Sequence, residues 1–280
     1  TDPQMIYQYL SPSPVLREFV RDYLIAHFVF GKDQPIPVKA FAPRPEQAMA
    51  FLPRGGLVMH NAISADRHTA PATSICGQQL SRYNFHLTRE YLMFRINFHP
   101  GALFRLLKIP LNEFSDTWFN ADSALGQETS EVNERLANAS SYKQMIDIVE
   151  DFLIKKIRHI NISGHPLDKA VSYLLNHSGK TSVDWLADQA CLSPRQFNRK
   201  FVERIGVGPK IFSRIVRFFN AYKFKEAHPN IDWLSVAVMF GYTDYQHLAK
   251  DFKEFSFATP NLWVHQDTHS PERLLRLTAS

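Results

Sequence analysis

Apolar and polar positions follow two different periods along the 280 residues. Between Tyr23 and Phe98 the period is two, that of half-buried strands. The strand candidates are Tyr23–Phe30, Val38–Ala42, Ala48–Leu52, Leu57–Asn61, Ser74–Gly77, Tyr83–Leu87 and Tyr91–Phe98. The last alternates most clearly, with Leu92, Phe94, Ile96 and Phe98 on one face and Met93, Arg95 and Asn97 on the other. Pro35, Pro37, Pro43, Pro45 and Pro53 cut the runs short, which suits the corners of a small barrel or sandwich. Upstream, Pro14, Leu16, Phe19, Val20 and Tyr23 suggest an amphipathic helix within residues 1–22.

After His99-Pro100-Gly101-Ala102 the period becomes helical. One helix ends at Ile109-Pro110, a second spans about Gln127–Ala137, and a third spans Tyr142–Ile157. The third carries Met145, Ile148, Val149, Phe152 and Leu153 on one stripe, to pack on its own domain or to form a homodimer contact. Gly164 and Pro166 then mark a linker at 161–166. It separates a domain at 1–160 from a helical one at 167–265, with a peripheral tail at 266–280.

The helical domain contains one pattern written twice, at Ser182–Pro209 and at Asp232–Pro260. Ala187 matches Ala237 at an offset of 50, and Phe201 matches Phe252 at 51, so the second copy has one extra residue after its turn. Each copy has a small residue where two helices cross, then a turn, then Ser193 or Thr243 where an N-cap belongs. A second helix follows with apolar anchors, Phe197 and Phe201 or Leu248 and Phe252. These are two helix-turn-helix units, joined by a long helix over about Pro209–Ala227. The fold class is therefore α+β: a small β-barrel or cupin-like domain with flanking helices, then an all-α domain.

The net charge of +5 changes this picture through its placement. From Ser193 to Lys225 there are nine basic residues against Glu203 alone, which points to a phosphate-facing surface. Cys76 and Cys191 are the only cysteines, too few for a disulfide framework or a Cys-based zinc site. No apolar run approaches the roughly 20 residues of a membrane span, and the polar start lacks a leader pattern, so a cytoplasmic protein is expected.

Residues 165–264 resemble the AraC/XylS family of bacterial transcription regulators, in both helix-turn-helix units, their joining helix, Pro209 and Pro260. Phe240-Gly241-Tyr242, His247, Lys250 and Phe252-Lys253 are similar to the family's second-unit signature. Ile96-Asn97-Phe98-His99-Pro100-Gly101-Ala102 resembles, more weakly, part of its degenerate cupin-type sensor domain. The resemblance implies double-stranded DNA as partner, a small-molecule effector, and RNA polymerase as a further partner. It implies DNA contacts from Arg195, Gln196, Asn198 and Arg199 of the first unit, and from Tyr245, Gln246, His247 and Lys250 of the second. Ser193, Thr243, Arg214 and Arg217 would touch phosphates. The first unit, beside the basic joining helix, would dominate affinity. Cys191 and Phe257 stand where the family commonly has Gly; Cys191 is expected to be a partly buried thiol, with a redox role as the alternative.

The competing reading is a metal-binding cupin-like enzyme or binding module. His27, His60, His68, His86 and His99 show no ligand-spaced pair, no Gly-x-Ser-x-Gly elbow is present, and no cofactor is expected. For the effector, Phe28, Arg44, Phe51 and Arg95 are candidate cavity residues.

Overall fold

In the computed structural model, which describes residues 5–64, 66–158, 160 and 164–277, the domain up to Ile157 is two antiparallel sheets with helices on one side. Its strands are β1 (Ile6–Leu10), β2 (Val20–Val29), β3 (Lys39–Phe41), β4 (Ala48–Arg54), β5 (Leu57–Asn61), β6 (Arg67–Thr69), β7 (Thr73–Cys76), β8 (Tyr83–Leu87), β9 (Glu90–Phe98) and β10 (Trp118–Asn120). One sheet has the order β1-β2-β9-β4-β7-β10, the other β3-β8-β5-β6. Helices α1 (Ala102–Leu107), α2 (Asp122–Leu125), α3 (Glu128–Ala137) and α4 (Tyr142–Ile157) complete this part.

The alternation along β9 explains the layering. Leu92, Phe94, Ile96 and Phe98 join Phe51, Leu103, Val149 and Phe152 in the core between the larger sheet and the helices. The opposite face looks into the space between the sheets, where Phe28, Phe41, Phe85 and Tyr91 form a second core. The larger sheet is therefore buried on both faces, and Arg95 and Asn97 face inward rather than to solvent. Residues 1–22 hold no α-helix among those described: β1, a 3-10 turn at Pro14–Leu16 and the start of β2 occupy them. The stripe mistaken for a helix face is apolar because Leu16, Phe19 and Val20 fill the first core. The stripe on α4 is likewise buried inside its own domain, where Met145, Ile148, Val149, Phe152 and Leu153 join the first core.

Residues 161–163 of the expected linker lie outside the described residues. Beyond them follow α5 (Pro166–Asn176), α6 (Val183–Gln189), α7 (Pro194–Ile205), α8 (Pro209–Ala227), α9 (Trp233–Met239), α10 (Tyr245–Ser256), α11 (Pro260–Asp267) and α12 (Pro271–Leu274). The pairs α6–α7 and α9–α10 are the two helix-turn-helix units, and α8 joins them. Their turns share one hydrogen-bond pattern: Leu192 N donates to Ala187 O at 3.0 Å, and Tyr242 N to Ala237 O at 2.9 Å. Both turns need a left-handed residue, supplied by Cys191 (φ 54) and Gly241 (φ 76). The extra residue of the second copy moves its cap. Asp244, not Thr243, accepts from the His247 N–H, at 2.7 Å.

Two further expectations are corrected. Cys191 is exposed, because the turn points it away from both helices. The tail is not peripheral: Glu272 is buried, and Leu275 and Leu277 pack on the core between the sheets. Cys191 is a non-glycine residue in a left-handed turn with little burial to lose. Cys191→Gly should therefore raise stability by roughly 0.5–1 kcal/mol, read by urea denaturation.

Candidate nucleic-acid interface

Helix α7 begins with a reciprocal cap. Ser193 Oγ accepts from the Gln196 N–H at 3.3 Å, and Gln196 Oε1 accepts from the Ser193 N–H at 3.2 Å. The cap starts the helix sharply and sets its rotation. Phe197 and Phe201 then fall wholly inside, while Arg195, Gln196, Asn198 and Arg199 are exposed. Among the described residues, neither Arg195 nor Arg199 makes an ion pair or hydrogen bond through its guanidinium, so both forks are available to a partner. Gln196 is shared: its oxygen holds the cap, which leaves its amide nitrogen as the outward group.

On α10, Leu248 and Phe252 are buried, and Tyr245, Gln246 and Lys250 are exposed. His247 is half-buried, edge-on to the Tyr242 ring, with Nδ1 3.3 Å from Thr243 Oγ1. Arg214 and Arg217 of α8 have partners within the chain. Arg214 reaches buried Asp251 at 2.7 Å and Glu254 at 2.5 Å, and these carboxylates hold it well above its ordinary pKa. Arg217 donates to Gly241 O at 3.3 Å and lies over the Tyr242 ring. Tyr242 Oη donates to Asp251 as well, at 3.1 Å. These contacts lock α10 to the joining helix, and they use charge that the sequence alone assigns to phosphate.

Helices α7 and α10 both end against the sheet domain. Gln47, next to β4, donates through Nε2 to Arg204 O at 3.2 Å and Ile205 O at 2.9 Å, the last carbonyls of α7. Ser115 Oγ donates to Gly206 O at 2.7 Å. Gly206 is left-handed (φ 99), and a Cβ there would meet Ser115 Oγ at 2.8 Å, so this contact requires glycine. Arg82, before β8, donates to Ser256 O at 2.7 Å, the last carbonyl of α10. A cation at a helix C-terminus also complements the helix dipole. Arg204 adds a buried bidentate pair to Asp168 of α5, at 2.7 and 2.6 Å, with its guanidinium over the Phe104 ring of α1. Gln47, Ser115 and Arg82 carry no local motif; their partners lie more than ninety positions away, so no sequence pattern marks them.

Beside Gln47 lies the polar wall of a cavity between the sheets, lined among others by Tyr7, Tyr9, Phe28, Lys39, Arg44 and Arg95. Phe28, Arg44 and Arg95 thus stand where expected, whereas Phe51 faces the helices. Glu46 accepts from Arg95 at 3.0 Å and from Arg21 at 3.2 Å. Arg44 stacks over Phe41 at 4.5 Å and over Phe219 of α8 at 5.8 Å, so it touches both domains. Burial pushes the Glu46 carboxyl up, but Arg95, Arg44 and Arg21 outweigh it and hold the pKa at about 2. Among the described residues no group of three or more His, Cys, Asp or Glu is placed to hold a metal ion.

Two tests follow from this geometry. Gln47→Ala strands two buried carbonyls and should cost about 1–3 kcal/mol in urea denaturation. Glu46 has a folded pKa below its ordinary 4.5, so its stabilisation is complete above about pH 4.5 and is lost as pH falls toward about 2. Thermal melting over that window should fall more steeply for the natural chain than for Glu46→Gln. Parallel curves would show that Glu46 does not carry the acid sensitivity.

Residues 8–120 match the sequence profile of a family described as a domain of unknown function, DUF6597. No curated protein matches the chain. Among solved structures, ToxT from Vibrio cholerae is similar at 12% identity over 90% of this chain and 99% of that one, with a TM-score of 0.47. The DNA-binding domain of AdpA, solved in complex with a target DNA, is 24% identical over 38% of this chain and 95% of its own, TM-score 0.35. A regulator from Chromobacterium violaceum, of the AraC-type DNA-binding domain-containing proteins, is 20% identical over 36% of this chain and 91% of its own, TM-score 0.34.

Proposed function

We propose that this chain is a sequence-specific transcription regulator of the AraC/XylS type. Its two reading helices, α7 and α10, enter successive major grooves, and its sheet domain senses a small molecule in the cavity between the sheets. One observation carries the reading. In both units the outward side of the reading helix is polar and exposed, while its last carbonyl is held by the domain that contains the cavity.

The chemistry suits DNA. Arg195 and Arg199 present unpaired guanidiniums, which bond guanine bidentately or reach phosphates; Asn198 and Gln246 match adenine. Gln196, Tyr245, His247 and Lys250 complete the two sets. Tandem units on one joining helix suit half-sites about one turn, roughly 34 Å, apart. With Arg214 and Arg217 engaged inside the chain, phosphate affinity rests on Arg195, Arg199, Lys210, Lys250 and Lys253, all exposed. Three of these lie on α7 or at the start of α8, so the first unit contributes more. Ser193 and Thr243 remain exposed at the helix starts, within reach of a backbone. The cavity signals through Glu46 and its neighbour Gln47: a ligand that draws Arg95 or Arg44 away from Glu46 shifts the contact on α7. This reading assigns no catalysis and places the chain in the bacterial cytoplasm, with DNA.

The test is selection of bound duplexes from random DNA, followed by titration with variants. Arg195→Ala with Arg199→Ala should weaken binding by at least about a hundredfold and lower the salt slope by about two. Gln246→Ala with Lys250→Ala should cost less. Unchanged affinity in the arginine double variant would remove α7 as the reading helix.

A further inference from the structure

The tail after α11 has no part in a helix-turn-helix unit, yet it is among the most deliberately placed segments of the chain. Glu272 is buried at 8% exposure and forms an ion pair with Lys39 on β3, which is equally buried and lines the cavity. The Lys39 ammonium also lies 5.3 Å from the Tyr7 ring. Three and five residues further on, Leu275 and Leu277 join the apolar core between the sheets. Arg273, on the outer side, pairs with Asp267 at the end of α11 and with Glu226 near the end of α8. One short segment therefore ties the sheet domain, the joining helix and α11, the helix that follows the second helix-turn-helix unit, together.

We propose that the cavity mouth, from Tyr7 to Lys39, is a docking site for the chain's own Ser270–Leu277, and that this segment is a latch restraining the second reading unit. The docking chemistry is an acidic residue followed by leucines at positions three and five. Docked, the segment continues directly from α11 and fixes the second unit against the barrel. Undocked, it leaves Arg82, among the described residues, as the polar hold of the sheet domain on the ends of α10 and, through Gln266, of α11.

The latch is built to open. One carboxylate oxygen of Glu272 and the Ser270 hydroxyl are buried without a hydrogen-bond partner among the described residues. Arg276 adopts a left-handed backbone (φ 54), a conformation unfavourable for a side chain-bearing residue. A buried ion pair roughly balances its own desolvation, so Lys39–Glu272 adds specificity more than strength. Lys39 faces the cavity too, so a ligand that engages its ammonium takes it from Glu272. The docking half of the proposal stands without DNA; the restraining half rests on the DNA-binding reading above.

The test uses the full chain with Lys39→Glu, Glu272→Lys and the two combined. Hydrogen exchange by mass spectrometry should show the amides of residues 270–277 exchanging at least about tenfold faster in each single variant, and near the natural rate in the double. Affinity for a two-half-site duplex selected by the natural chain should rise several-fold in the singles and return in the double. Equal exchange in all four proteins overturns the docking. A freed segment with unchanged or weaker DNA affinity overturns the latch. If the natural chain selects no DNA sequence, the regulator reading falls and takes the latch with it, while exchange still reads the docking. Should a reversal fail to fold, Glu272→Gln keeps the shape and carries the same comparison.

Discussion

An α-helix leaves its last carbonyls without partners in its own backbone, and something must satisfy them when they are buried. In this protein the sheet domain does so for both α7 and α10. Gln47 and Ser115 take the end of α7, and Arg82 takes the end of α10. The consequence is mechanical as well as energetic. A helix held by its C-terminus, with its N-terminal turn outward, keeps its exposed side chains at a fixed angle to whatever holds it. The placement of each helix-turn-helix unit thus depends on Gln47, Ser115 and Arg82, and through them on the sheet domain that carries them.

That dependence explains why charge is buried where it is. Glu46 is surrounded by Arg21, Arg44 and Arg95, and each of these touches a different part of the molecule. Arg95 comes from the centre of the larger sheet, and Arg44 leans on α8 through Phe219. A buried charge network is costly unless every member is satisfied. A displacement of any one of these cations would therefore be felt by the others and by Glu46. Gln47 follows Glu46 directly in the chain, which gives such a change a short route to α7.

Much of the helical domain was legible in the sequence because its determinants are local. The duplicated pattern, the one-residue offset, the ends of α4 and α8, and the left-handed turns at Cys191 and Gly241 all follow from neighbours a few positions apart. Even the moved cap at Asp244 was implicit in the extra residue, although Thr243 looked equally suitable. In the sheet domain the period of two located most strands but missed β1, β6 and β10, which are short or mixed in polarity. Phe19 and Val20 suggested a helix because an apolar stripe only states that residues are buried, not against what.

The sequence by itself determined the two helix-turn-helix units and which residues of α7 and α10 face outward, because caps and helical period are short-range properties. Only the tertiary structure decided which cations remain for a partner. Arg214 and Arg217 lie in the same basic block as Arg195 and Arg199, yet Asp251, Glu254 and the Gly241 carbonyl claim them from 24 to 40 positions away. It also decided that Gln47, Ser115 and Arg82 hold α7 and α10 and that Glu272 pairs with Lys39 of the cavity wall. A side chain's partner across such distances is set by how the two domains pack, and no local pattern encodes that.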